Sequence, residues 1–198
     1  IALSMELIMC MTSAMAFGLA AVAREFAPLF FGEDFAESGT LMIPLGFTLI
    51  FIGFANVVRT QWVLPQGRDK IFVRSVTAGA VGNLIVNSVL IPRMGAMGAV
   101  VGTLMAEFTV PFAQWVMLRR ELPYKRFLGM VGSYAVIGLA MVGAVRLMSR
   151  ALPGAGWLHL AAEVFAGAAV YGAGCLLYWK LAGRKNVLRA LRLQRKSA

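Results

Sequence analysis

Six apolar segments, each about 20 residues long, restrict the fold of this chain more than any other feature. A membrane-spanning helix needs about 20 mostly apolar residues, and six stretches qualify: 2–23, 38–58, 72–91, 96–118, 127–148 and 158–179. A soluble domain carries about 25% charged residues, whereas this chain of 198 residues has 14% charged and 60% hydrophobic residues. The sequence therefore predicts an all-α polytopic membrane protein in a lipid bilayer, with six transmembrane helices in residues 1–179 and a basic tail at 180–198.

The basic residues lie in alternate connections between the apolar segments. All of the 19 Lys and Arg residues follow the second, fourth or sixth segment, except Arg24, Arg93, Arg146 and Arg150. Cytoplasmic loops of membrane proteins carry an excess of Lys and Arg, so we expect both ends of the chain, and the basic tail, in the cytoplasm. The net charge of +10 then reflects topology, and no nucleic-acid partner is expected.

Polar residues recur at helical spacing where the third and fourth segments meet at the predicted turn 91–95. Asn83 and Asn87 share one helix face. Counting about 1.5 Å per residue from the turn places Thr103 at a similar depth. Two amide oxygens and a hydroxyl suit a hard cation, so these three residues form a candidate sodium site. The alternative is a hydrogen-bond cluster between the two helices.

Two further groups of polar residues are candidates for a substrate cavity. Glu107 lies four residues before Pro111 and shares a stripe with Gln114. Polar groups at membrane depth usually face protein or water, so Glu107 is either an ion or proton relay or a protonated acid bonded to a neighbouring helix. Arg59, Gln61 and Arg74 form a predicted basic vestibule that would meet a phosphorylated substrate. Ordinary topology-setting charge explains the two arginines equally well.

Catalytic motifs are absent from the sequence, which therefore predicts no enzyme and no cofactor other than the candidate sodium ion. There is no nucleophile elbow, Cys/His metal motif or phosphate-binding loop. We expect His159, the only histidine, to lie at the membrane interface rather than bind a ligand. Cys10 and Cys175 are expected to be buried hydrophobes, and Glu6 is expected to reach water near the end of its helix.

Three stretches resemble bacterial oligosaccharide flippases, the Wzx-like proteins of the polysaccharide-transport branch of the multidrug/oligosaccharidyl-lipid/polysaccharide superfamily. These are FAPLFFGEDF at 26–35, NVVRTQWVLPQGRDK at 56–70, and NLIVNSVLIPRMGAMGAVVGTLMAEF at 83–108. The resemblance implies a fold like that of the multidrug exporters, with two six-helix lobes and a final helix pair. This chain would supply helices nine to fourteen, that is, most of the C-terminal lobe and the extra pair. Because the sequence begins Ile-Ala-Leu-Ser without an initiator Met, we expect a fragment whose N-terminal lobe is missing.

The resemblance also implies a function. Such flippases carry an undecaprenyl-pyrophosphate-linked oligosaccharide outward across the bacterial inner membrane by alternating access, for export of surface polysaccharides such as lipopolysaccharide. Some relatives bind sodium near the positions of Asn83, Asn87 and Thr103. Two alternatives stay open: a drug/cation antiporter of the same superfamily, and a membrane scaffold subunit without transport activity.

Overall fold

The computed structural model describes residues 1–151, 154 and 156–183, and this part of the chain is helical, without a β-strand. Its six α-helices are α1 (Ala2–Phe31), α2 (Ser38–Val58), α3 (Asp69–Met94), α4 (Ala96–Leu118), α5 (Tyr124–Ala151) and α6 (Trp157–Leu181). The connections contain 3₁₀ turns at Glu33–Phe35 and Leu64–Gln66 and a π-helical turn at Arg59–Val63. Residues 184–198, most of the predicted basic tail, lie outside the described residues.

Each helix is long and apolar enough to cross a bilayer. α4, for example, has 23 residues, or about 35 Å at 1.5 Å per residue, and a hydrocarbon core is about 30 Å thick. Large apolar side chains point outward: Leu84 is 68% exposed and Phe165 is 76% exposed. Such a surface fits lipid rather than water. The predicted all-α fold with six potential membrane spans is therefore confirmed.

α1 and α3 end later than the sequence predicts because a proline near the end of each helix does not stop it. α1 continues through Pro28 to Phe31, and α3 continues through Pro92 to Met94. A proline in a helix removes one backbone hydrogen bond, and a glycine with positive φ ends each helix soon afterwards: Gly32 at 97° and Gly95 at 56°. The turn predicted over residues 91–95 is therefore shorter than expected, since only Gly95 separates α3 from α4.

α1 forms the centre of the bundle, since it packs against α2, α5 and α6. Its buried residues Met5, Met9 and Phe17 join a core with aromatic residues of α5 and α6, namely Phe127, Tyr134, Tyr171 and Trp179. The α3–α4 hairpin meets this core through α4, which packs against α2. α3 packs mainly against α4, and only Ser75 and Gly79 of its residues are buried.

One end of the bundle carries most of the described basic residues. The α2–α3 and α4–α5 connections lie there with the start of α1 and the end of α6, and we call it the basic end. The α1–α2 and α3–α4 connections, the end of α5 and the start of α6 lie at the opposite end. At the basic end, Arg68 donates hydrogen bonds of 2.5 and 3.0 Å to the Glu121 carboxylate, and Trp62 donates a third of 3.2 Å. These bonds lower the pKa of Glu121, and the pairing raises the pKa of Arg68. The ion pair thus joins the two connections.

Candidate functional site

The π-helical turn at Arg59–Val63 extends α2 at the basic end and carries the predicted site residues Arg59 and Gln61. The backbone N–H of Leu64 donates to the carbonyl of Arg59, five residues earlier. Within the turn, the Thr60 hydroxyl donates to the Asn56 carbonyl at 2.8 Å. Because π-helical turns are frequent at functional sites, the surface beside this segment is a candidate binding site.

A groove of about 430 Å³ lies between α1 and α2 beside this turn, and we call it the polar groove. Gly53 allows the helices to approach here, because a Cβ at this position would lie 2.8 Å from Ile8 and Thr12. The polar lining residues are neutral: Ser4, Thr12, Asn56, Thr60 and Gln61. From Ser4 to Thr12 the groove extends about 12 Å along α1 from the basic end. Neutral hydroxyl and amide groups offer hydrogen bonds to an uncharged polar ligand.

A second groove, the aromatic groove, lies between α2, α4 and α5 in the basic half of the bundle. It has a volume of about 330 Å³ and an apolar lining. Phe51 meets Phe108 edge-on at 5.5 Å between ring centroids, and Phe112 stacks on Phe108 at 5.8 Å. The remaining lining residues are Ile50, Phe54, Pro111, Trp115, Tyr124, Leu128 and Val131. Such a surface can bind an apolar chain, but it has almost no hydrogen-bonding groups for a sugar.

The three residues of the predicted basic vestibule lie on different surfaces. Gln61 lines the polar groove, whereas Arg74 is exposed and lines a groove along α3 with Val73, Thr77 and Val81. The guanidinium of Arg59 lies 4.9 Å from the centroid of the Phe72 ring. Its Nε is buried and donates no hydrogen bond within the described part of the chain. Arg59 is thus held against α3 by a cation–π contact with Phe72.

Asn83, Asn87 and Thr103 make hydrogen bonds within their own helices. The Asn87 Nδ2 donates to the Asn83 Oδ1 at 2.9 Å, and the Thr103 hydroxyl donates to the Ala99 carbonyl at 3.0 Å. The Asn87 Oδ1 is buried and accepts no hydrogen bond from the described residues. This oxygen occupies the space that a side chain on Gly102 would fill. Asn87 therefore packs across the α3–α4 interface with one acceptor left open.

Glu107 and Gln114 differ in burial although they share the predicted stripe on α4. Gln114 is 1% exposed, and its Oε1 accepts no hydrogen bond from the described residues. Glu107 is half-buried, and its carboxylate forms no hydrogen bond or ion pair with any residue that the structure describes. α4 continues through Pro111 between them. Both remain candidates for contact with a ligand or with another part of the protein.

A buried hydrogen-bond network near the basic end is not predicted by the sequence. Tyr134 donates to the Glu6 carboxylate at 2.9 Å, and the indole N–H of Trp179 donates to the Tyr134 hydroxyl at 2.8 Å. Glu6 is 2% exposed, so the expectation that it reaches water is wrong. The acid within an apolar segment was a signal in the sequence, but its partner Tyr134 lies 128 residues further along the chain. The network joins α1, α5 and α6.

Comparison of the chain with protein-family profiles, with curated proteins and with solved structures gives no match.

Proposed function

We propose that this chain is the C-terminal lobe and final helix pair of a flippase for undecaprenyl-pyrophosphate-linked oligosaccharide in the bacterial inner membrane. The proposal rests on the sequence resemblance and on one structural observation. α2 forms a wall of two grooves of opposite chemistry, the polar groove and the aromatic groove, and both lie in the basic half of the bundle. A lipid-linked sugar likewise combines a polar part, the sugar, with an apolar part, the polyprenyl chain.

The polar groove is suited to the sugar of such a substrate. Its hydroxyl and amide groups are neutral, and sugar hydroxyls both donate and accept hydrogen bonds. The aromatic groove has no comparable polar surface and is suited to part of the polyprenyl chain, with the remainder in lipid. We assign the pyrophosphate to Arg59, whose neighbours Thr60 and Gln61 line the polar groove. Arg74 lines a separate groove along α3 and is left out of this assignment. Arginine binds phosphate oxygens through two N–H groups at once.

The charge pattern gives the proposed direction. With the basic end in the cytoplasm, as the excess of Lys and Arg favours, both grooves would receive substrate from the cytoplasmic leaflet. Outward movement then requires a second lobe that rocks against this one. We place that lobe, or lipid, against α3, whose Val73, Leu84 and Ile85 are exposed.

Sodium coupling is a separate part of this proposal, with the ion at Asn83, Asn87 and Thr103. The open acceptor of Asn87 supports it, because a cation would satisfy that oxygen. Packing against Gly102 accounts for the same side-chain position. No carboxylate forms a hydrogen bond with these three residues in the described part of the chain, so the site would be weak.

The test is rescue of surface polysaccharide in cells that lack their own flippase and express the longer product containing this chain. Thr60→Val and Gln61→Ala remove hydrogen-bonding groups from the polar groove, and we expect each to lower transport about tenfold, since a lost bond to substrate costs about 1–3 kcal/mol. Thr109→Val is the matched control, because its hydroxyl bonds the Met105 carbonyl within its own helix and lies outside both grooves.

Membrane abundance is measured for every variant by immunoblot. Full rescue by the polar-groove variants, or no rescue by an abundant unmodified protein, would contradict the proposal. Drug efflux without rescue would favour the antiporter of the same superfamily.

A further inference from the structure

A cluster of one histidine and two glutamates lies at the end of the bundle opposite the basic end. Glu25 of α1 meets His159 and Glu163, which are one turn apart on α6. One ligand atom from each residue lies within 4.8 Å of the other two. From these residues we infer that the cluster binds a divalent transition-metal ion of the zinc type. The inference does not depend on the proposed transport function.

The burial of Glu163 indicates that its carboxylate needs a binding partner. Its side chain is 1% exposed, and neither carboxylate oxygen accepts a hydrogen bond from the described part of the chain. The Nε2 of His159 is likewise buried without a hydrogen bond. Buried charged groups are normally paired or bound to a metal. The groups nearest to the Glu163 carboxylate are His159 Nε2, 3.3 Å from Oε1, and the Glu25 carboxylate. A metal ion bound among the three would satisfy both carboxylates and the imidazole together.

The distance between the His159 and Glu163 ligand atoms also fits a metal site. His159 Nε2 lies 3.3 Å from Glu163 Oε1. In a tetrahedral zinc site with bonds of about 2.0–2.1 Å, two ligand atoms lie about 3.3 Å apart. Gly154 approaches the other edge of the imidazole, where a Cβ would lie 2.8 Å from Nδ1, so Nε2 is the nitrogen that faces the carboxylates. The Ser149 hydroxyl lies 3.5 Å from Glu25 Oε1, which is longer than a usual hydrogen bond between two oxygens.

The ligand atoms, one imidazole nitrogen and two carboxylates, indicate which class of ion the cluster binds. Imidazole suits zinc and related transition metals, whereas calcium and magnesium take oxygen ligands. Three protein ligands leave a fourth position for water. Arg24, Arg146 and Arg150 line the same cavity of about 210 Å³ as Glu25 and Glu163. All three arginines are exposed, and none forms an ion pair with the carboxylates in the part of the chain described. A bound ion would join α1 to α6.

The test uses the purified chain without a polyhistidine tag, in detergent micelles, with Cys10→Ala and Cys175→Ala to remove the thiols. After treatment with a chelator, zinc binding is measured by calorimetry, and the cobalt complex is examined by visible absorption. We expect one zinc per chain, a tetrahedral cobalt spectrum and a higher unfolding temperature with zinc.

Three variants assign the ligands. His159→Ala, Glu25→Gln and Glu163→Gln should each weaken zinc binding at least about 100-fold, since loss of an outer-shell partner alone costs 10–100-fold. Glu33→Gln is the matched control, because it removes an exposed acid at the same end of the bundle and should leave binding unchanged. Circular dichroism confirms that each variant is folded. Absence of stoichiometric zinc binding, equal binding by His159→Ala, or binding of only magnesium or calcium would overturn the inference.

Discussion

Replacing Tyr134 with Phe tests the buried network that joins α1, α5 and α6. The Tyr134 side chain is fully buried, donates to Glu6 and accepts from Trp179. The Phe variant keeps the ring and loses both bonds. A side-chain hydrogen bond inside a membrane protein contributes about 0.6 kcal/mol on average and up to about 1.7. Two such bonds predict a loss of about 1–3 kcal/mol in the free energy of unfolding.

The same substitution at Tyr124 provides a control with the opposite expectation. The Tyr124 hydroxyl is buried and has no hydrogen-bond partner among the described residues, while its ring stacks on Phe54 at 6.1 Å. Removing an unpaired buried hydroxyl removes its desolvation cost, so Tyr124→Phe should be neutral or stabilising.

Unfolding of both variants is measured by titration with sodium dodecyl sulfate in mixed micelles, followed by circular dichroism and tryptophan fluorescence. The expected difference of about 2 kcal/mol corresponds to roughly a 30-fold change in the unfolding equilibrium. Equal stability of the two variants would refute the assignment of the network, because the chemical change is the same in both.

Three other substitutions test separate parts of the account. Gly98→Ala should lower the free energy of unfolding by about 1–3 kcal/mol in the same titration, because the new Cβ would lie 2.5 Å from the Leu90 carbonyl carbon. Gly143→Ala, with open space around it, should raise that free energy by about 0.5–1 kcal/mol. Equal effects of the two substitutions would contradict the close approach of α3 and α4. Asn87→Ala should reduce the sodium dependence of transport in vesicles. An unchanged dependence would mean that Asn87 only packs between α3 and α4 and does not bind sodium. Glu107→Gln should impair transport at unchanged membrane abundance, and a loss of abundance instead would make Glu107 structural.

The sequence predicts the features of this fold that depend on neighbouring residues. Each helix is apolar enough along its own length, so all six were identifiable. Asn83 and Asn87 are four residues apart, and their shared face brings them to a hydrogen bond of 2.9 Å. Helix ends were harder to predict: Pro28 and Pro92 are typical of helix termination, but the glycines that follow them set the actual ends.

Contacts between distant segments could not be predicted because they depend on how the helices pack. The Thr103 hydroxyl donates to the Ala99 carbonyl in its own helix, and no hydrogen bond joins it to the asparagines of α3 in the described part of the chain. Tyr134 and Glu6 meet although they are 128 residues apart. Likewise, His159 was expected to be an interfacial residue without a ligand role, and the structure places it beside Glu25 and Glu163. Nothing in the local sequence around His159 indicates the carboxylate of α1.

The most direct test of the central proposal is movement of the lipid-linked oligosaccharide itself. The two-lobe protein that the proposal describes is reconstituted in liposomes with a fluorescent undecaprenyl-pyrophosphate-linked oligosaccharide. The label exposed on the outer face is measured by chemical quenching over time. For a flippase we expect faster exchange of the label between leaflets than in empty liposomes, and a rate lowered about tenfold by Gln61→Ala. Exchange no faster than in empty liposomes, from protein that is folded and fully incorporated, would contradict the proposed flippase function.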